Sequence, residues 1–124
     1  MITLLSMLEE GYLSSFEHLA FRQLKGAYGC NLISIPHDYP TLQDGLDAAI
    51  GTKVFLCPPG RVVHSVEMKD ATLPSGDVVF VFGSPQEDLT SFITETDIVY
   101  HITTPNPVDI MAVSVAGIVL NEYG

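Results

Sequence analysis

Apolar residues along the chain fall into short runs that alternate with longer segments of helical spacing. The runs are interpreted as strands because they are brief, rich in branched or aromatic residues and bounded by turn-forming residues. Strands are predicted at residues 2–8, 30–35, 54–57, 78–82 and 98–102. Helices are predicted at residues 14–27, 42–50 and 108–123, with a shorter one at 87–93. Because strands alternate with helices, the pattern predicts an α/β fold with a parallel sheet of five or six strands and helices on both faces.

The run at residues 78–82 is the one most typical of a central strand. Its five residues are all apolar, without the alternation that a half-exposed strand shows. Helix boundaries are also marked, since Gly29 can end the first helix and Thr41 can cap the second. Residues 61–76 form the least regular part of the chain, with a turn signal near their end.

The last segment, residues 108–123, is apolar nearly all round. A helix with more than one apolar face must bury more than one face. In a chain of this length one face can meet the sheet while another is left for a second molecule. The sequence therefore predicts a homodimer formed through the C-terminal helix.

The chain of 124 residues is predicted to form one domain, residues 1–124, that is large enough for a real core. No apolar run reaches the roughly 18 residues of a membrane-spanning helix. The first eight residues lack a basic start and run into Glu9 and Glu10, which argues against a secretory signal. A cytoplasmic protein without a membrane partner is therefore expected. Cys30 and Cys57 have no CxxC spacing, so buried free thiols are expected rather than a disulfide or a metal pair.

The formal charge of -10 arises from 15 acidic residues against five basic ones. The five bases are scattered, whereas nucleic-acid-binding proteins cluster Lys and Arg against phosphates. Strong non-specific binding to RNA is therefore not expected, and the acidity suits a basic protein partner instead. The sequence also has no Gly-rich phosphate loop, no metal-ligand cluster and no GxSxG motif, which removes the usual sequence support for most hydrolases.

Arg22 is the strongest candidate for a chemical role. An arginine can clamp a phosphate with two parallel hydrogen bonds and can stabilise a developing alkoxide, although a solvated position on a surface helix is the structural alternative. His18 lies one helical turn earlier, so the two side chains can share a face. His37 and Asp38 follow the second strand, at the end of the sheet where ligands collect. A polar turn explains His37 and Asp38 equally well, and for His101, which ends the last strand, an outward-pointing surface position is the favoured explanation.

Several motifs of the second half follow one another in a specific order. Residues 78–82 are followed by Gly83-Ser84-Pro85 and Asp88-Leu89-Thr90, and later come Ile102-Thr103-Thr104 and residues 110–116. This order resembles the SPOUT family of RNA methyltransferases, most closely its minimal ribose 2'-O-methyltransferase branch. That branch has a Gly-Asn-Glu-like turn and Gly-Leu-Ser, then an Ile-Pro-Met strand end and Ser-Leu-Asn-Val-Ser-Val-Ala opening the last helix. In the first half, Arg22 precedes Gly29 by seven residues, much as the family arginine precedes a Phe-Gly-like helix end.

The resemblance implies a trefoil-knotted fold, a homodimer through the C-terminal helix, and S-adenosylmethionine held largely by main-chain groups of three loops. The cofactor-binding residues that it implies are Phe82, Gly83, Ser84, Ile102, Thr103, Thr104, Ile110, Met111 and Ser114. Arg22 is the implied catalytic residue. The implied substrate is RNA, in particular a tRNA ribose.

The chain departs from the family at polar positions. The glutamate of the turn is Pro85, the loop glycine is Asn106, and the Ser and Asn that open the last helix are Ile110 and Ala112. Two alternatives therefore stay open. One is a catalytically diverged SPOUT-like module that acts through protein contacts or as a regulator. The other is an unrelated small α/β ligand-binding domain with an unknotted sheet.

Overall fold

The computed structural model describes residues 1–7, 12–83, 89–106 and 110–123. These residues form six strands: β1 (Ile2–Met7), β2 (Asn31–Ile35), β3 (Thr52–Leu56), β4 (Val66–Glu67), β5 (Val78–Phe82) and β6 (Ile98–His101). They also form the helices α1 (Tyr12–Tyr28), α2 (Leu42–Ala48) and α3 (Ala112–Tyr123), and 3-10 helices at Met68–Asp70 and Leu89–Phe92. No helix in this part of the chain is both long and apolar enough to cross a membrane.

All six strands are parallel and belong to one sheet, in the order β2-β1-β5-β3-β6-β4. β5 lies between β1 and β3 and every one of its residues is buried, so the predicted central strand is confirmed. The register runs straight across the centre, where Phe80 pairs with Leu4 of β1 and with Val54 of β3. The predicted parallel α/β architecture is confirmed as well.

Alternate side chains of each strand point to two apolar layers, one on each face of the sheet. Phe80 and Phe82 point to the first face, which α1 and α3 cover side by side. Val79 and Val81 point to the second face, which α2 and the 3-10 helix Leu89–Phe92 cover. Helices therefore lie on both faces, as the alternation of elements predicts.

The two cysteines lie on opposite faces of the sheet. Cys30 belongs to the first apolar layer and Cys57 to the second. Both are buried and free, as their spacing predicts, and burial raises the pKa of the Cys30 thiol. An internal disulfide between them would require rebuilding the sheet.

The ends of the helices follow local signals only in part. Gly29 has φ of 64° and ends α1, and the hydroxyl oxygen of Thr41 accepts a main-chain N–H from the first turn of α2. The last helix was predicted from residue 108, but α3 begins at Ala112, so Ile110 and Met111 precede it. Residues 107–109 lie outside the described part of the chain.

The segment of residues 61–76 departs most from the sequence pattern. It contains β4 and a 3-10 turn, neither of which the apolar pattern predicts. β4 has two residues, Val66 paired with Tyr100 and Glu67 paired with His101. A strand this short has no periodicity by which it could be recognised. Its pairing encloses β6 between β3 and β4.

Candidate functional site

The carboxyl ends of the parallel strands meet at one edge of the sheet. After β1 the chain enters α1 on the first face, and after β5 it reaches the 3-10 helix on the second face. Where the connections of two neighbouring strands leave to opposite faces, a crevice opens between their ends, and ligands bind there in α/β proteins. Ser6 and Phe82 are the paired residues at this crevice, and Gly83 follows, half-buried.

A first polar group, the histidine cluster, lies at the end of β2 and consists of His18, Arg22, Ser34, His37 and Asp38. Oγ of Ser34 lies 3.3 Å from Nδ1 of His18. The rings of His18 and His37 stack with their centroids 4.8 Å apart. The main-chain N–H of Ser34 donates to Oδ2 of Asp38 at 2.7 Å, which turns that carboxylate toward the backbone. The structure thus brings together two candidate groups that are separate in the sequence, one on α1 and the other in the loop after β2.

Burial and neighbouring groups lower the pKa of His18. Burial is the largest influence on the pKa of His18 and lowers it, and the charges of His37 and Arg22 lower it further. Asp38 acts in the opposite direction but less strongly. His18 therefore favours its neutral form more than a free imidazole does.

A second polar group, the Glu67 cluster, consists of Ser65, Glu67, His101 and Thr103. Oγ of Ser65 lies 2.7 Å from Nδ1 of His101, and Nε2 of His101 lies 3.4 Å from Oε2 of Glu67. Thr103 donates its main-chain N–H to Oε2 of Glu67 at 3.1 Å and also donates its hydroxyl to the same oxygen. Because Thr103 follows β6 while Glu67 belongs to β4, the cluster fastens the loop after β6 to the connection between β3 and β5.

Glu67→Gln is expected to remove an acid-sensitive part of the stability. Burial by itself raises the pKa of Glu67, but hydrogen bonds from Thr103 and the charges of His101 and Lys69 together outweigh it and leave the pKa lowered. A carboxylate with a lowered pKa stabilises the fold fully above its unfolded-state value of about 4.3, and this stabilisation is lost as the pH falls through the folded-state pKa.

Urea unfolding of the parent and Glu67→Gln, followed by circular dichroism, measures this effect. We expect a clear difference in the free energy of unfolding near neutral pH, which shrinks as the pH falls below the unfolded-state pKa and vanishes below the lowered folded-state pKa of Glu67. Glu95→Gln, at an exposed position, is the matched control and should follow the parent throughout. A difference between parent and Glu67→Gln that stays constant with pH would contradict the expectation.

The residues that the resemblance assigns to the methyl donor occupy three places in the fold. Phe82 and Gly83 end β5, Ile102, Thr103 and Thr104 follow β6, and Ile110, Met111 and Ser114 lie around the start of α3. Ser84 lies outside the described residues. The ends of β5 and β6 flank β3, because Leu56 pairs with both Phe82 and Tyr100. Two strand spacings, about 10 Å, therefore separate the first two places.

Arg22 is exposed on α1 and belongs to the histidine cluster rather than to these loops. The cluster lies at the end of β2, whereas the loop that contains Thr103 follows β6. β2 and β6 are four strand spacings apart, or about 19 Å. The structure therefore brings Arg22 to His18, as helical spacing predicts, and keeps the cluster apart from the loop after β6 within one chain.

Ser65 and Glu67 are the polar residues that sequence reasoning missed. Both lie in the irregular segment, and each contacts a residue 36 positions further along the chain. No local sequence pattern predicts a contact between residues so far apart along the chain. Their roles became visible only through the pairing of β4 with β6.

Ser6→Ala is expected to raise the free energy of unfolding by about 1 kcal/mol. Ser6 and Ser34 are fully buried and are paired in register on neighbouring strands. Oγ of Ser6 has no hydrogen-bond partner in the described part of the protein. Removing an unsatisfied buried hydroxyl recovers its desolvation cost of about 1–3 kcal/mol. The small loss of packing on removal of the oxygen offsets part of this gain. Urea unfolding of the purified variant measures the change.

The matched variant is Ser34→Ala, which is expected to lower the free energy of unfolding by about 1 kcal/mol because His18 loses its partner. The two serines share burial and strand context and differ in whether the hydroxyl is bonded. Changes of the same sign and size in both variants would contradict this interpretation.

No group of three or more His, Cys, Asp or Glu side chains able to hold a metal ion occurs among the residues that the structure describes. A scan against protein-family models and searches of curated proteins and of solved structures found no significant match to the chain. Its function is therefore inferred from its own residues and topology.

Proposed function

We propose that the chain is a SPOUT-like, knotted homodimer that binds S-adenosylmethionine and transfers its methyl group to RNA, at the 2'-hydroxyl of a tRNA ribose. The observation that carries this proposal is the path of the backbone around β6. β6 lies between β3 and β4, and β4 belongs to the connection that leads from β3 to β5.

The elements on either side of β6 lie on opposite faces of the sheet. The chain reaches β6 from the 3-10 helix Leu89–Phe92 on the second face and leaves it for α3 on the first. β4 closes the outer side of β6, so this crossing lies between β3 and β4. A threaded C-terminus requires a crossing of this kind, which supports the proposed knot. An experimental trace that passes outside β4 would remove that support.

The proposed donor loops offer accessible main-chain groups and apolar surface, both of which suit an adenosine-bearing methyl donor. Gly83 has no side chain to cover its main-chain groups, and Ile102 and Met111 offer apolar surface for a purine ring. Thr103 has both its N–H and its hydroxyl bonded to Glu67, so in this proposal it positions the loop rather than binding the donor.

S-adenosylmethionine, when bound, would supply a sulfonium-activated methyl group for the ribose oxygen; the neutral thioether would be the leaving group and solvent would take the hydroxyl proton. The chain's own contribution is to hold the ribose in line with that group and to stabilise the developing alkoxide. Arg22 is the residue proposed for this stabilisation. Since it is exposed and carries a permanent charge, it can also clamp a neighbouring phosphate.

Exposed apolar side chains on α1 and α3 support the proposed homodimer. Phe16 and Leu19 of α1 are 66% and 52% exposed, and Ile118 of α3 is 41% exposed. The two helices pack side by side on the same face of the sheet. A second copy that covers this face would also bring its own α1, and with it another Arg22, to the surface beside α3. Within one chain Arg22 is separated from the loop after β6, so the proposal requires a second copy to bring an arginine to that loop.

Isothermal titration with S-adenosylmethionine, combined with transfer of labelled methyl groups to total tRNA, tests the proposal. The parent should bind one donor per chain and label tRNA. Arg22→Ala should bind the donor as the parent does but transfer about 100-fold more slowly, because a transition-state contact is lost. No heat at millimolar donor would remove the cofactor, and undiminished transfer by Arg22→Ala would remove the role of that arginine.

The charge of -10 favours a second candidate, a diverged SPOUT-like module that binds a basic protein instead of methylating RNA. In this case the chain would form a stoichiometric, salt-sensitive complex with its partner, while methyl transfer to RNA would stay at background. Transfer to RNA without such a complex would exclude this candidate.

A further inference from the structure

We propose that the histidine cluster is a binding site for a phosphate group, held at the end of β2 by His18, His37 and Arg22. The proposal goes beyond methyl transfer, since it needs neither S-adenosylmethionine nor the loop after β6. It arises from three observations, which concern the geometry of the rings, the charge around them and their place in the sheet.

The stacked imidazoles leave donors available for a ligand. Nδ1 of His18 faces Oγ of Ser34 at 3.3 Å, which leaves its Nε2 as the second ring nitrogen. His37 stacks on this ring at 4.8 Å with an interplanar angle of 24° and is itself exposed. Arg22 follows His18 by one turn of α1, is exposed, and makes no ion pair with any residue that the structure describes. A guanidinium and two imidazoles are typical partners of phosphate oxygens.

The charged and titratable groups that face the cluster come from α1 and from the loop after β2. From α1 come Arg22 and Glu17, and Glu17 is 5% exposed on the same side of the helix as the buried Phe21, toward the sheet. From the loop after β2 come His37 and Asp38. Asp38 accepts a main-chain N–H at 2.7 Å, so its carboxylate is already engaged. The charges of His37 and Arg22 affect the pKa of His18 more strongly than the carboxylate of Asp38 does.

The location agrees with a ligand site. The cluster lies at the carboxyl edge of a parallel sheet, where the loops of α/β proteins gather around their ligands. Arg22 supplies a permanent positive charge at that edge, in a chain of formal charge -10, and would attract an anion there. A bound phosphate would favour the imidazolium form of His18. Affinity should therefore fall as the pH rises above the titration of that ring.

The test is a titration of the purified protein with inorganic phosphate, followed by NMR of the histidine ring protons at constant ionic strength. The resonances of His18 and His37, assigned through His18→Asn and His37→Asn, should shift in a saturable way, and bound phosphate should raise the pKa of His18. His64 and His101, in or beside the β4–β6 edge, serve as internal controls and should not shift. Sodium chloride at the same ionic strength should produce none of these changes.

Arg22→Gln should weaken phosphate binding about 10-fold, which corresponds to the loss of about 1.4 kcal/mol from one charge-assisted contact. The matched variant Lys25→Gln removes another exposed cation of α1, one turn further from the cluster, and should change the affinity less than twofold. Equal effects of the two variants, or shifts no larger than those with chloride, would overturn the proposal.

Two further probes identify the source of the phosphate group. Adenosine 5'-monophosphate represents a nucleotide ligand, and a short single-stranded RNA represents a phosphodiester backbone. Binding of RNA at least about 10-fold tighter than the nucleotide, with the same dependence on Arg22, assigns the site to a nucleic-acid strand. The reverse order assigns it to a small phosphorylated molecule. Binding of both probes without dependence on Arg22 or His37 counts against the site.

Discussion

Gly51→Ala is expected to lower the free energy of unfolding by about 3 kcal/mol, the combined effect of a left-handed backbone and a steric overlap. Gly51 has φ of 132°, and a Cβ atom there would lie 2.6 Å from the main-chain oxygen of Asp77. That oxygen accepts the N–H of Thr52 at 2.9 Å, so it cannot move away without losing a hydrogen bond next to the start of β3. The position joins the beginnings of β3 and β5, on which the centre of the sheet depends.

Chemical denaturation of Gly51→Ala, monitored by circular dichroism at one protein concentration, measures this loss. Two matched variants separate its causes. Gly60→Ala has φ of 82° but meets no atom within 4 Å, so it reports the backbone cost alone, about 1 kcal/mol. Gly26→Ala lies inside α1 with open space around it and should stabilise the fold by about 0.5–1 kcal/mol. If Gly51→Ala lowers the free energy of unfolding no more than Gly60→Ala does, the steric overlap with Asp77 is relieved without an energetic cost.

Leu120→Ala is expected to lower the free energy of unfolding by about 2–5 kcal/mol, because it leaves a cavity where α3 meets the sheet. Leu120 is fully buried in the first apolar layer with Val119 and Ala116. Ile118 on the same helix is 41% exposed, so Ile118→Ala should change the stability of one folded chain by less than about 1 kcal/mol. The two variants therefore probe the two faces of the predicted apolar helix separately.

Unfolding and the oligomeric state must be measured together in this pair, since dimer formation stabilises a fold in a concentration-dependent way. Sedimentation equilibrium should show that the Ile118→Ala dimer dissociates at a higher protein concentration than the parent dimer does. A parent that is monomeric at every concentration would remove the proposed homodimer while leaving the expectation for Leu120→Ala intact.

The carboxyl edge of the sheet now contains two polar groups with different expected tasks. The Glu67 cluster fastens the loop after β6, one of the places proposed for the methyl donor. The histidine cluster, at the opposite side of the edge, is proposed to hold phosphate. If both proposals hold, the distance of four strands between them has to be bridged by a long substrate or by a second copy of the chain. The oligomeric state of the parent is therefore informative for each proposal.

The candidate site could be predicted from the sequence only where it depended on short-range spacing. His18 and Arg22 were expected to share a face because they are four residues apart on a helix, and the structure places both in one cluster. His37 and Asp38 were expected at the ligand-binding end of the sheet, but their union with His18 required the packing of α1 on β2. Ser65 and Glu67 were missed altogether.

By itself the sequence determined the order of the elements other than β4 and the 3-10 turn after it, the central strand at Val78–Phe82, and the helix boundaries at Gly29 and Thr41. These features depend on periodicity and backbone preference within a few residues, which any chain with this pattern carries. Only the tertiary structure decided the strand order, the pairing of β4 beside β6 and the two polar clusters. Each of these joins segments that are distant along the chain, and the free energy that selects such contacts belongs to the packed sheet as a whole rather than to any local stretch.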